Sequence, residues 1–225
     1  IQALIAMQEG VISENTGFMC NKALIGCHNH THPANVRIAI QHSCNPYFFN
    51  VYKRMILRGK NPSIFKDSRL GLVNWREHVL SFGFGKKLDT DLKGIKPGRI
   101  PDTAFYDRWY GKNRWAFSTI YSNSIGEGEL GVSPLQMANL AAIIANRGYY
   151  YTPHLVRKIG ENGSKKSQFL IKNQTSVDKK YFTPVVDAME QVVLNGTARQ
   201  AQIDSISVCG KTGTVENKSF KYRSA

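Results

Sequence analysis

The sequence predicts an α+β domain, and three observations predict it. Apolar residues recur at helical spacing between capping residues in several places, short extended runs follow Gly148 and precede Lys211, and the apolar content is enough to fill a core. The 225 residues are 42% hydrophobic and 11% aromatic, which supports one large domain or two tightly packed subdomains rather than a disordered chain.

The elements follow in chain order. Residues 1–7 (Ile-Gln-Ala-Leu-Ile-Ala-Met) have mid-helix character with no cap before them, which predicts that they continue something longer. Residues 35–42 carry Val36, Ala39 and Ile40 on one helical face, with Asn35 as N-cap. Pro46 biases Asn45 away from helical dihedrals and suits the start of the next helix, residues 47–56. Ser43-Cys44-Asn45 is therefore expected on a tight connection between two helices.

Residues 57–115 are rich in Gly, Pro, Lys and Asp, with residues 75–80 the clearest periodic piece. They predict an irregular surface excursion able to wall a groove. Ser133, Pro134 and Gln136 then form the start of a helix over 134–147, with Met137, Leu140, Ala141 and Ile144 as its expected buried stripe and Gly148 as its stop. Residues 149–156 predict an extended run broken by Pro153. A further helix is expected from Pro184, with Val185, Met189, Val192 and Val193 inward and Gly196 at its end. Ile206 and Val208 alternate with Ser205 and Ser207, predicting a strand that continues through Gly210 to Val215.

The formal charge of +14 is compatible with an anionic partner, but its basic residues are scattered, as at Arg54, Arg58, Lys60, Lys86 and Lys87. No Lys/Arg stripe with interleaved aromatics marks a nucleic-acid surface, and no nucleic-acid partner is expected. No run approaches the ~18 apolar residues of a membrane span, and no basic segment followed by an apolar core opens the sequence. The four cysteines, Cys20, Cys27, Cys44 and Cys209, are too few for a disulfide framework.

Two short motifs point to acyl-transfer chemistry. Lys211-Thr212-Gly213-Thr214 ends the expected strand, where an extended peptide can add to a sheet edge by main-chain hydrogen bonds. Gly213 has no Cβ to block that approach, Thr212 and Thr214 offer hydroxyl donors, and Lys211 supplies a positive charge. A Lys-Thr-Gly string arises by chance in a chain of this length about one time in twenty. Ser-x-Asn is weaker, since Ser13-Glu14-Asn15 also matches it. Ser43-Cys44-Asn45 differs in context, because a corner between two helices presents its hydroxyl and amide rigidly enough to relay a proton and hold a peptide group.

Ser43-x-Asn45 followed by Lys211-Thr212-Gly213-Thr214, with residues 124–138 between them, resembles the class B penicillin-binding proteins. Residues 43–48 and 110–115 are similar to the elongation-type group, penicillin-binding protein two, of Bacteroidetes-like bacteria. The resemblance covers nearly the whole chain. It implies the penicillin-binding-protein transpeptidase fold, shared with serine β-lactamases: an antiparallel sheet flanked by helices, here truncated at both ends, with mainly the helical subdomain and one strand in residues 1–225. Association of Ser-x-Asn and Lys-Thr-Gly with such enzymes is a known motif relation.

The implied activity is a serine D,D-transpeptidase that cross-links peptidoglycan stem peptides during wall elongation and is a target of β-lactams. By motif, Ser43 joins the proton-transfer network and Asn45 binds the substrate amide. Lys211 gives electrostatic support, and Thr212 and Thr214 hold the carboxylate, with the Thr214 backbone amide in the oxyanion hole. Ser-x-x-Lys, which supplies the nucleophile, should precede Ser-x-Asn. The string Ser63-Ile64-Phe65-Lys66 comes after it and is taken as a decoy, so the nucleophile is expected upstream of residue 1, and residues 1–225 alone are expected not to acylate. A membrane anchor, a dimerisation region and final strands are likewise expected outside these residues. The implied partners are stem peptides, β-lactams and membrane-embedded elongation proteins, and the implied location is the periplasmic side of an inner membrane.

Rival readings are a serine β-lactamase or β-lactam sensor of the same fold, and a non-catalytic binding module for wall peptides. The separation of Ser43 and Lys211, 211 − 43 = 168 positions, leaves room for a groove that a compact hydrolase does not need. Gly126-Glu127-Gly128-Glu129-Leu130-Gly131 satisfies the dinucleotide pattern, but two glutamates would face the pyrophosphate and the helix starts beyond the third glycine, so no nucleotide is expected. Cys20, Cys27, His28, His30 and His32 are compatible with a disulfide between the two cysteines, with zinc, or with unpaired loop residues; their spacing assigns no metal ligand, and no cofactor is expected.

Overall fold

Five consecutive residues of the first helix, α1 (Gln2–Gln8), are buried, so neighbouring elements enclose it on every side. The structure, a computed structural model, describes residues 1–158, 160, 163 and 167–214. Helix α2 (Val36–Gln41) begins where Asn35 Oδ1 accepts the Ile38 N–H at 2.9 Å, as its sequence predicts. Helix α3 (Asn45–Ile56) starts two residues before the predicted residue 47, because extended Cys44 and not Asn45 takes the cap position ahead of Pro46, and it buries Tyr47, Val51, Tyr52, Met55 and Ile56. It forms the centre of the core and packs against α1.

The expected irregular excursion holds two helices, with irregular chain before, between and after them. Helix α4 (Ile64–Ser81) is 18 residues long, and α5 (Thr103–Tyr110) is capped by Asp102 Oδ1, which accepts the Phe105 N–H at 2.8 Å. Helix α4 is fixed by distant partners. Asp67 accepts the Gly59 and Lys60 N–H groups at 2.9 Å each, and Ser68 Oγ accepts the Phe117 N–H at 3.0 Å. Trp75 packs edge-on to Tyr52 with centroids 5.3 Å apart and donates to Gln2 Oε1 at 2.8 Å. Gly71, which weakens the helical pattern in the sequence, lets α4 meet the end of α3: a Cβ there would lie 2.2 Å from the Ile56 carbonyl oxygen. Glu9, at the end of α1, receives Asn74, His78 and Arg58 and ties α1 to α4.

Helix α6 (Phe117–Ile120) leads through a 3-10 turn, Tyr121–Ile125, toward α7 (Pro134–Ala145). The capping box of Ser133 and Gln136 is present as predicted. The buried face is not the predicted one: Gln136, Asn139 and Ile143 point inward, while Met137 is 49% exposed. Gln136 turns inward because its amide donates to the Gly83 and Pro97 carbonyls at 3.0 and 2.9 Å, satisfying loop groups that would otherwise be buried without partners.

Arg147 and Gly148, at φ 59° and 108°, reverse the chain into β1 (Tyr149–Tyr151). This strand pairs antiparallel with β2 (Lys172–Gln174), Tyr150 opposite Asn173. The extended run predicted through Val156 pairs only as far as Tyr151. Helix α8 (Phe182–Leu194) starts two residues before the predicted Pro184, a residue whose missing N–H is tolerated in a first turn. It packs on α2, and Gly196 closes it where a Cβ would lie 2.4 Å from the Gln41 carbonyl.

The strand predicted through residues 205–215 is absent among the described residues, where only a bridge between Ile203 and Ile206 forms. Alternation alone does not make a strand without a paired neighbour, and apart from that single bridge none of the described residues pairs with this segment. Val215 lies outside the described residues. Among them no helix is long and apolar enough to cross a membrane.

Substituting Gly71→Ala tests the α3–α4 contact. Helix propensity alone would stabilise an exposed site by about 1 kcal/mol, whereas backbone overlap should destabilise by about 2 kcal/mol. Urea denaturation should show the loss; a gain would contradict the contact.

Candidate active site

The corner between α2 and α3 is built from the backbone outward. The N–H groups of His42, Ser43 and Cys44 donate to the carbonyls of Ile38, Ile40 and Ala39, all at 3.0–3.1 Å, so the end of α2 is closed by three consecutive residues. Ser43 takes φ 52°, the left-handed region. A residue with a Cβ is disfavoured there, and such strain persists only where the surroundings hold it. Cys44 returns to extended dihedrals, fully buried, and leads into α3. The corner is thereby pinned from below, with the Ser43 hydroxyl on its outer side.

Across from it, the Gly210 N–H donates to the Met189 carbonyl at 3.1 Å, docking the following segment on α8. Lys211 Nζ then donates to Ser43 Oγ at 2.6 Å and to the Thr212 carbonyl at 3.0 Å. Thr212 Oγ1 lies 2.8 Å from Thr197 Oγ1. Lys211 is at the surface, yet its ammonium end sits among protein atoms, and this desolvation lowers its pKa from the usual lysine value. A cation that is incompletely hydrated and hydrogen-bonded to a hydroxyl is suited to holding that oxygen and stabilising charge developing nearby.

The structure therefore brings Ser43, Lys211 and Thr212 together. Asn45 stands at the same corner and donates through Nδ2 to the Gly26 carbonyl at 2.9 Å, an orientation that leaves Oδ1 to receive a peptide N–H. Gly213 has open space around it, with nothing within 4 Å of an ideal Cβ, and Thr214 is exposed. Neither hydrogen-bonds to the Ser43–Lys211 pair among the described residues. Ser13-Glu14-Asn15 lies in an exposed loop, and Ser63-Ile64-Phe65-Lys66 opens α4 with Ile64, Phe65 and Lys66 exposed. Gly126 and Gly128, at φ 83° and 76°, shape a loop whose Gly131 bridges to Arg99; α7 starts only at Pro134.

Beneath the corner lies a second group. The thiols of Cys20, Cys27 and Cys44 and Nε2 of His30 all lie within 4.8 Å of one another. His30 Nε2 is 3.5 Å from Cys20 Sγ and 3.3 Å from Cys27 Sγ. Its Nδ1 donates to the Thr31 carbonyl at 2.6 Å, which fixes the tautomer with Nε2 free. His32 Nδ1 accepts the Cys20 N–H at 3.1 Å, and His28 packs on His30 at 4.9 Å. Cys20, Cys27 and His30 thus converge as the sequence allowed, His28 and His32 stand beside them, and Cys44 completes the set. All four cysteines are thiols. The signal for Cys44 was its position inside Ser43-Cys44-Asn45, on a buried turn facing a loop that already offers two thiols and an imidazole.

The family described as "Penicillin binding protein transpeptidase domain" matches residues 1–223. The chain belongs to this family. It is 29% identical over 192 residues to the peptidoglycan D,D-transpeptidase MrdA of Acinetobacter baumannii, covering 83% of this chain and 26% of that protein. Stage V sporulation protein D of Bacillus subtilis is 28% identical over 190 residues, covering 81% of this chain and 25% of its own length. The chain thus spans about a quarter of these relatives. Among solved structures, one of a peptidoglycan synthase complex superposes with TM-score 0.76 at 22% identity, covering 96% of this chain and 35% of the other. The crystal structure of Pseudomonas aeruginosa PBP2 in complex with WCK 5153 superposes with TM-score 0.67 at 21% identity, covering 88% and 44%. These likenesses show the transpeptidase fold, an α+β arrangement to which the chain contributes its helices and the β1–β2 pair.

Ser43→Gly should fold with stability within about 1 kcal/mol of the native protein, because glycine enters the left-handed region without strain. Thermal unfolding measures it. A large loss would mean that the hydroxyl, and not the backbone, fixes the corner.

Proposed function

We propose that this chain is part of a peptidoglycan D,D-transpeptidase and forms two walls of its acyl-transfer site. The observation that supports the reading most is the hydrogen bond from Lys211 to Ser43 across 168 positions of sequence, in a chain of the transpeptidase family. In the proposed reaction a serine Oγ outside residues 1–225, in a Ser-x-x-Lys segment, attacks the penultimate D-Ala carbonyl of a stem peptide. The C–N bond breaks and D-Ala leaves as its amine. Ser43 passes the proton from the attacking hydroxyl to that amine. An amine of a neighbouring strand then attacks the ester and regenerates the serine. Asn45 Oδ1 holds the substrate amide, Lys211 stabilises developing negative charge, and Thr212 and Thr214 hold the terminal carboxylate. Stem peptides, β-lactams and membrane-embedded elongation proteins are the proposed partners, on the periplasmic side of an inner membrane.

Cys20, Cys27, His30 and Cys44 are proposed to hold a zinc-class ion. Tetrahedral zinc with S and N ligands at about 2.3 and 2.0 Å separates those ligand atoms by roughly 3.5–3.8 Å. The sulfur–nitrogen distances of 3.5 and 3.3 Å agree with this. The His30–Thr31 hydrogen bond is the outer contact such a ligand needs. Bound there, the ion would contribute no chemistry to acyl transfer; it would cross-link the loop of Cys20 and Cys27 to the Ser43 corner.

In the intact protein, Lys211→Ala and Ser43→Gly should each slow acylation by a fluorescent penicillin about 100-fold or more, and the double variant should be little slower than the worse single one. Native-rate labelling of either variant would contradict the assignment. No labelling of the intact protein would favour a binding module, and rapid hydrolytic release of the label a β-lactamase. Elemental analysis should find one zinc per chain, lost in Cys27→Ser together with a lower melting temperature; equal zinc in native and variant protein would remove the site.

A further inference from the structure

A cavity of about 800 Å³ opens beside the Lys211–Thr212 wall, lined by His28, Asn29, His42, Thr197, Arg199 and Thr212 among others. Its lining is unusual in sign. It contains no aspartate or glutamate, and Arg199 has no salt-bridge partner among the described residues. Asn29 accepts from Lys22 through Oδ1, so its amide hydrogens remain to be donated. The imidazoles of His28, His30 and His42 stand in a row, with centroids 4.9 and 5.5 Å apart. His42 immediately precedes Ser43, and Thr197 and Thr212 share a hydroxyl contact at the mouth. A concavity of this size holds one or two peptide residues, and a surface of donors and cations without acids selects for an anionic group.

We propose that this cavity is a specificity subsite for a second, non-reacting carboxylate of the stem peptide processed at Ser43 and Lys211, with Arg199 and Asn29 as its principal donors. The inference rests on the transpeptidase reading and names which substrates that site prefers. A stem peptide carries two candidate carboxylates: the α-carboxylate of a γ-linked D-glutamate, and the side-chain carboxylate of a diaminopimelate. Both present the same chemistry.

The test uses the intact protein and four donor pentapeptides, with each carboxylate free or amidated in turn. Amidating one of them should raise KM about tenfold with kcat nearly unchanged, and the position affected identifies the source. Arg199→Gln should raise KM for the free-carboxylate peptide by a similar factor and leave the amidated one unaffected. Arg199 is exposed, so the variant should melt with the native protein. Equal KM for all four peptides, or an equal rise for free and amidated peptides in Arg199→Gln, would overturn the subsite. Penicillin acylation separates the two readings. A native protein that acylates but does not discriminate carboxylates refutes only the subsite, and one that does not acylate refutes the subsite together with the transpeptidase function.

Discussion

The left-handed backbone at Ser43 is the constraint on which the site depends. A helix that continued through residue 43 would carry its hydroxyl away with the helical face, and a longer loop would leave it mobile. One residue at φ 52°, closed by three backbone hydrogen bonds and followed by a buried Cys44, turns the chain within a single step and starts α3 in a new direction. The strain is of order 1 kcal/mol, small beside the burial of Tyr47, Val51 and Tyr52 that the turn makes available to the core. Packing of α8 on α2 then brings the Lys211 segment to the outer side of that corner, where Lys211 finds the hydroxyl.

Local signals in the sequence carried part of this. Asn35 and the Ser133–Gln136 box act within one turn, and each marks the helix start it predicts, whereas Pro46 lies one residue inside a helix that already begins at Asn45. What was illegible depends on partners far along the chain. Gly71 weakens a helix on paper and is required in the fold because Ile56 lies against it. Gln136 belongs on a polar face until the carbonyls of Gly83 and Pro97 are placed beside it. Residues 205–208 alternate as a strand should, but pairing is a property of two segments, and periodicity describes only one.

The site shows the same division. Ser43 and Lys211 are recognisable from motif and context because the proposed chemistry needs those groups, although 168 positions separate them. Thr197 carries no motif and enters only through its contact with Thr212. Cys44 was hidden by its neighbours, since it stands between two polar residues that draw the functional reading, while its own side chain points into the core toward Cys20, Cys27 and His30. One three-residue corner thus serves two groups, with the hydroxyl outward and the thiol inward. Anything that braces the thiol side also steadies the hydroxyl.

The claim that Ser43 and Lys211 are walls of an acyl-transfer site, and that the acylated serine lies elsewhere, is tested most directly by peptide mapping. The intact protein is treated with penicillin, digested, and the adduct located by mass spectrometry. The account predicts a single acylated serine, in a Ser-x-x-Lys segment outside residues 1–225. An adduct on Ser43, or on Ser63 at the start of α4, would contradict it.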